Sequence, residues 1–362
     1  MLEFAPIFQS GMTLQRRKSI RLWGECYPTQ AVEVKLNGRL LMSTGLVEGR
    51  FELQLPAMEA MEDITLTITG STGVQVCFEG VDIGEVWVAG GQSNMEFPLE
   101  YDEEGGAMMA AANDPHLRFY NTAQWAFAGE EREGLKDASA WNRWMDYTPE
   151  NAGLFSAVGA YFALKVKESL GVPVAIVGCN WSGTTAAAWL DPVWLKNDPD
   201  LKVYCDEYEK STARLDLPLY LEQNRRRRAA ASSPSEIKAA IARYRSTPSE
   251  TESAQTAEML AQFEMAAPEP LGPHSEGRPG GLFDTMVKRI AGYTCRGVIW
   301  YQGESDAERY SLYEKLFSAV IQCWRKRWSE PELPFLFVQL APFATWLACT
   351  GDLYPDLRAA QE

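Results

Sequence analysis

Histidine is nearly absent from this sequence: of 362 residues, only His116 and His274 carry an imidazole. The seven cysteines stand singly, with no CxxC pair among them. A zinc site therefore lacks its usual ligands, and no disulfide framework is legible. Positive charge is scarce as well, with 34 Lys and Arg against 49 Asp and Glu, a formal net charge of −15. That balance opposes binding to nucleic acid and to an anionic membrane surface. No apolar run approaches the ~20 residues needed to span a bilayer. Met1 to Arg17 also lacks the basic and then apolar stretch of a secretory leader. The chain reads as cytoplasmic, or as periplasmic or secreted if a leader has been removed.

What is present suits a soluble globular protein of two domains: 46% of residues are hydrophobic and 23% charged. From residue 1 to about 82, short alternating segments (Ile20–Trp23, Ala31–Leu36, Phe51–Leu55, Ile64–Ile68, Val74–Phe78) predict a small β-sandwich. Asn37-Gly38 has the composition of a tight hairpin turn. Beyond residue 82 the pattern changes to continuous apolar runs of strand length followed by glycine-rich turns and helical periodicity, which is the α/β signature. Strands are expected at Glu85–Ala89, Val174–Val177, Gly297–Tyr301 and Phe335–Leu340. Helices are expected over Ala157–Leu170, closed by Gly171, and over Tyr310–Trp328. A polar, alanine-rich stretch from about 192 to 281, with Arg225–Arg228 and Pro268, Pro270 and Pro273, reads as a helical insertion whose arginines form a solvated face.

In α/β sheets, ligands bind beyond the carboxyl ends of the strands, so the loops there carry the chemistry. The first loop, Gly90-Gly91-Gln92-Ser93-Asn94-Met95-Glu96, turns on two glycines and exposes a serine. A helix starting at Ser93 would aim backbone N–H groups at a developing oxyanion. Ser93 with Glu96 three residues later is equally a capping box, which needs no catalysis. The second loop, Asn180 to Thr185, offers Gly183 for close backbone approach, or Thr184 or Thr185 as a helix cap. The third, Gln302 to Asp306, is a polar site or a solvated turn.

Together these blocks resemble a known family. The run Val86 to Met95 looks like the nucleophile block of the sialate O-acetylesterase family, a carbohydrate-esterase branch of the SGNH (GDSL-like) hydrolases. Asn180 to Trp189 is similar to its second block, with Ser182-Gly183 where the family usually has two glycines. Trp300 to Asp306 resembles its third block, Val338 to Phe343 the strand that follows, and Met12 to Arg16 the opening of its N-terminal β-domain. The resemblance implies an α/β fold: an SGNH-hydrolase α/β/α sandwich with a parallel, flavodoxin-like sheet over 83–362, preceded by a small β-sandwich over 1–82.

It further implies a carbohydrate O-acetylesterase in which Ser93 attacks the acetyl carbonyl to form an acetyl-enzyme. The oxyanion would be held by the backbone N–H of Ser93, the backbone N–H of Gly183 and the side-chain amide of Gln302. Glu304 would order its loop, while Gln92, Asn94 and Trp181 would border the substrate. An O-acetylated sugar or glycan is the implied partner, with no metal or organic cofactor, no nucleic acid and no membrane. The family's base is a histidine in an Asp-x-x-His motif downstream of a segment like Asp356 to Gln361. This sequence reaches Glu362 without that pair, so the expectation is that the native protein continues. The alternative is a catalytically inactive, carbohydrate-binding relative. A glycosidase using Glu96 or Glu304 with Asp306 fits the acidic loops but not the glycine-lined serine.

Overall fold

A computed structural model describes residues 1–130, 141–229, 271–343, 345–346 and 349–362, with side chains for all of these except 227–229 and 345–350. Residues 230–270 of the expected insertion, including Pro268 and Pro270, therefore lie outside the described residues, as do the side chains of Arg227 and Arg228. Within the described part the insertion is helical over Pro192–Asn197, Lys202–Thr212 and Leu217–Ala229. None of the described helices is long and apolar enough to cross a membrane.

The N-terminal strands are longer than the alternation suggested. Strand β1 (Leu2–Phe4) and β2 (Thr13–Gln15) are short. In contrast β3 (Ile20–Leu36) and β4 (Arg39–Leu55) are 17-residue arms of one hairpin, followed by β5 (Met61–Gly70). Asn37 and Gly38 form the hairpin turn at φ 48° and 78°, with Leu36 opposite Arg39. Only residues tolerant of positive φ fit such a two-residue connection. Strand β6 (Gln75–Gly91) is also continuous: its first half pairs antiparallel with β5 and its second half runs into the parallel sheet. Residues 82–83, where the sequence pattern changes, thus fall inside one strand.

The parallel part of the sheet contains β7 (Asp114–Asn121), β9 (Val174–Asn180), β6, β10 (Gly297–Tyr301) and β11 (Phe335–Phe337), side by side in that order. Strand β8 (Trp144–Tyr147) adds antiparallel to the outer edge of β7, so the sheet is mixed rather than wholly parallel. Alternate side chains feed two layers. Ala89, Ile176 and Ile299 pack with Ala157, Ala160 and Ala163 of the Ala157–Leu170 helix. Val88, Val177, Val298 and Trp300 pack with Leu316, Val320 and Trp324 of the Tyr310–Trp328 helix. Local chemistry fixes those helix ends. Ser156 Oγ accepts from the Gly159 N–H, Gly171 closes the first helix at φ 61°, and Arg325, Lys326 and Arg327 occupy the last turn of the second.

Glu85, 3% exposed, ties the N-terminal strands to this sheet. Its carboxylate takes Arg16 Nε at 2.6 Å, Arg296 Nε at 2.8 Å and Arg296 Nη2 at 3.0 Å. Burial pushes its carboxyl up, but the bonds from Arg296 and Arg16 outweigh that and hold it below the usual range. Glu85→Ala would leave Arg16 partly buried without its carboxylate. A loss of about 3 kcal/mol is expected, measured as a lowered urea midpoint with an unchanged slope.

Candidate active site

Strand order reverses around β6: β9, which follows it in the chain, lies on one side and β10 on the other. A sheet leaves its ligand crevice at such a switch point, beyond the carboxyl end of the strand. The register places Asn180, Gly91 and Tyr301 abreast at that end, so the three loops singled out in the sequence emerge together. Glycine is required at the tip of β6. Gly91 sits at φ 137°, and a Cβ there would stand 2.1 Å from Tyr301 O; at Gly90 one would stand 2.7 Å from the Trp300 ring. The chain then makes a single helical turn, Ser93–Glu96, with Ser93 exposed at its start.

The capping-box alternative is overturned by where Glu96 points. Gln92, not Ser93, occupies the cap position, and no side chain caps the turn. Glu96 instead reaches the second loop, where its Oε2 accepts from the backbone N–H and, at 2.6 Å, from the Oγ of Ser182. Its Oε1 accepts from Gln124 Nε2 at 2.7 Å, and Gln124 also donates to Asn180 O at 3.1 Å. Trp181 N–H donates to Gly91 O at 3.1 Å. Gly183, at φ 72°, is thus held on a loop braced to the same turn that carries Ser93. Neither the Ser93 nor the Gly183 backbone N–H has an acceptor among the described residues.

The third loop is clamped by Gln92. Its Oε1 accepts from the Gly303 and Ser305 N–H groups, each at 3.2 Å, and its Nε2 donates to Ser305 Oγ at 3.2 Å and lies 3.5 Å from Ser93 Oγ. Asn94 Nδ2 donates to Glu304 Oε1. Burial pushes the Glu304 carboxyl up, and its Oε2 has no partner.

Gln302 departs from the expected role. It is 0% exposed, and its Nε2 is committed to Thr184 O at 3.2 Å and Asp306 Oδ2 at 2.6 Å, while Tyr313 Oη donates to its Oε1. An amide has two hydrogens to give, so Gln302 would have to leave Thr184 or Asp306 to reach an oxyanion. As placed, it braces the second and third loops from beneath. Asp306 is buried behind it and bonded to the Ala186 N–H at 2.8 Å. It therefore does not face Glu96 or Glu304 across a cleft as a glycosidase pair would.

Neither histidine is bonded to Ser93. His116 lies beside Leu117, which pairs with Val174 at the amino end of the sheet. That is about 20 Å along the strands from Ser93 at 3.3 Å per residue. Its Nδ1 is 3.0 Å from Asp82, in a cluster with Asp63 and Arg118. His274 stacks on Phe127, ring centroids 3.4 Å apart. Gln124, Tyr313 and Gln361, whose Nε2 donates to Gln302 O at 3.1 Å, brace the site but were not legible beforehand. Isolated amides and a core tyrosine carry no spacing signal.

Known proteins bear on this geometry. A family model described as carbohydrate esterase, sialic acid-specific acetylesterase, matches residues 269–354. A mouse sialate O-acetylesterase is 23% identical over 98% of this chain and 63% of its own length; a rat one is 25% identical over 86% and 51%. The crystal structure of a carbohydrate acetylesterase from Xanthomonas citri, 26% identical, superposes on the whole chain with a TM-score of 0.70 and is covered over 66% of its length. The chain thus spans about half to two thirds of these relatives. Fold and comparisons together show a likeness to carbohydrate esterases. The resemblance to the sialate O-acetylesterase family is borne out.

Asp306 gives the site a pH signature. Burial pushes its carboxyl up to about 6, against bonds from the Ala186 N–H and Gln302 that lower it. The folded value lies above the ordinary ~3.9. Its stabilising contribution is therefore full below about pH 4 and lost as pH rises through about 6. Asp306→Asn should flatten the fall in stability between pH 5 and 8 by about 1–2 kcal/mol, read from urea unfolding at both pH values.

Proposed function

We propose that this protein is a carbohydrate O-acetylesterase of the sialate O-acetylesterase kind, with an SGNH-type α/β/α unit over 83–362, interrupted at about 192–281, and an ancillary β-sandwich over 1–82. One observation carries the reading. An exposed serine at a strand-order switch point stands on a turn tied through Glu96 to the Gly183 loop, with the Ser93 and Gly183 N–H groups unspent. Ser93 Oγ attacks the acetyl carbonyl, its proton passes to a base, and the two N–H groups hold the tetrahedral oxyanion. Collapse expels the sugar hydroxyl, which takes the proton, and water then releases acetate from the acetyl-enzyme. Gln92, Asn94, Trp181 and Glu304 shape the acyl pocket and order its rim. The substrate is an O-acetylated sugar or glycan.

A serine hydroxyl without a base is a poor nucleophile, and neither described histidine is bonded to Ser93. That observation favours a second reading, a binding protein that keeps the pocket. Acetate release from an acetylated sugar, with and without added imidazole as a diffusible base, separates the two. The esterase reading expects release that falls roughly 10³-fold or more in Ser93→Ala with little change in KM. Binding of the acetylated sugar with no Ser93-dependent release at any imidazole concentration supports the second reading.

A further inference from the structure

The amino end of the parallel sheet, opposite Ser93, carries a second concavity. There β1, β3 and β4 face the Pro192–Asn197 helix and the last turn of the Tyr310–Trp328 helix across a cleft of about 1160 Å³. That exceeds the roughly 300–1,000 Å³ of ordinary small-molecule sites, which leaves room for more than one sugar ring. Trp23 lines one wall and Trp194 the other, both half-buried.

The charges in the cleft are unevenly matched. Lys326 and Arg327 are exposed and have no carboxylate partner among the described residues; Lys326 Nζ lies 5.8 Å from the centre of the Trp194 ring. Glu3, Glu25, Glu52 and Asp191 also line the cleft, and of these Glu52 is held in a close ion pair. Glu52 takes the Nε and Nη2 of Arg21 at 3.0 and 2.7 Å, and Asp191 accepts from the Val193 N–H at 3.0 Å. The remaining guanidinium nitrogen, Arg21 Nη1, is buried with no acceptor. Two cations without an ion-pair partner among the described residues and two half-buried tryptophans border this cleft.

We propose that this cleft is a second, non-catalytic binding site for a carboxylated oligosaccharide. The sugar carboxylates pair with Lys326 and Arg327, and the apolar ring faces lie against Trp23 and Trp194. Such a site would hold an acidic glycan chain while the Ser93 end is free to act on another part of it, and it does not depend on Ser93 chemistry.

Calorimetric titration of the full chain with trigalacturonate, and with maltotriose as a neutral trimer of similar size, tests the proposal. The acidic trimer is expected to bind at 20 mM salt and to weaken several-fold at 300 mM, because exposed charge pairs are screened. Lys326→Ala with Arg327→Ala should weaken it at least tenfold, Trp194→Ala should weaken it too, and Ser93→Ala should leave it unchanged. The cationic pair is exposed, so these variants should keep the wild-type circular dichroism spectrum. Four outcomes overturn the proposal: no binding at low salt, equal binding of maltotriose, binding indifferent to the Lys326 and Arg327 changes, or binding lost in Ser93→Ala.

Discussion

The backbones of β6 and β10 approach so closely at Gly91 and Tyr301 that no side chain fits between them. A Cβ on Gly91 would lie 2.1 Å from Tyr301 O, far inside van der Waals contact. This contact ends the central strand and turns the chain outward, so that Ser93 starts a turn instead of continuing the sheet. The same closeness lets the Gln92 N–H bond to Tyr301 O at 3.0 Å, fixing the third loop to the first. Everything at the carboxyl end of the sheet is positioned relative to that join.

Around it, polar side chains do the holding. Gln92 clamps the third loop, Glu96 and Gln124 clamp the second, and Gln302 with Asp306 braces both from below. Buried polar groups are costly unless bonded, so a network of this kind rigidifies a site when its members are satisfied. Two atoms are not: Glu304 Oε2 and Asp306 Oδ1 are buried without partners. Burial raises both carboxyls, which favours the neutral form of each. The unmet acceptors of the site both lie in the third loop.

The parts legible in the sequence were those that depend on periodicity and on glycine. Strands β9 and β10, the helices over Ala157–Leu170 and Tyr310–Trp328, and the Asn37-Gly38 turn lie where apolar runs, caps and turn residues put them. The long N-terminal strands were not legible as single elements. Bulges interrupt the register of β3 against β4 between Cys26 and Gln30 and break the alternation that marks a strand. Strand β6 was read as two because its first half faces an antiparallel neighbour and its second is buried on both faces, which are different patterns. The direction in which a polar side chain points is set by tertiary neighbours. Glu96 therefore read as a capping residue and Gln302 as an oxyanion donor, whereas the one holds Ser182 and the other is sealed beneath the loops.

The account rests on Ser93 Oγ standing where an acyl carbon can be attacked, with its oxygen held between the Ser93 and Gly183 N–H groups. A crystal structure of the chain after prolonged reaction with a small alkyl fluorophosphonate measures this directly. The account predicts phosphorus bonded to Ser93 Oγ and a phosphoryl oxygen about 2.7–3.1 Å from both nitrogens. Modification of a different serine, or a phosphoryl oxygen turned to solvent with Gly183 N–H unengaged, would contradict it.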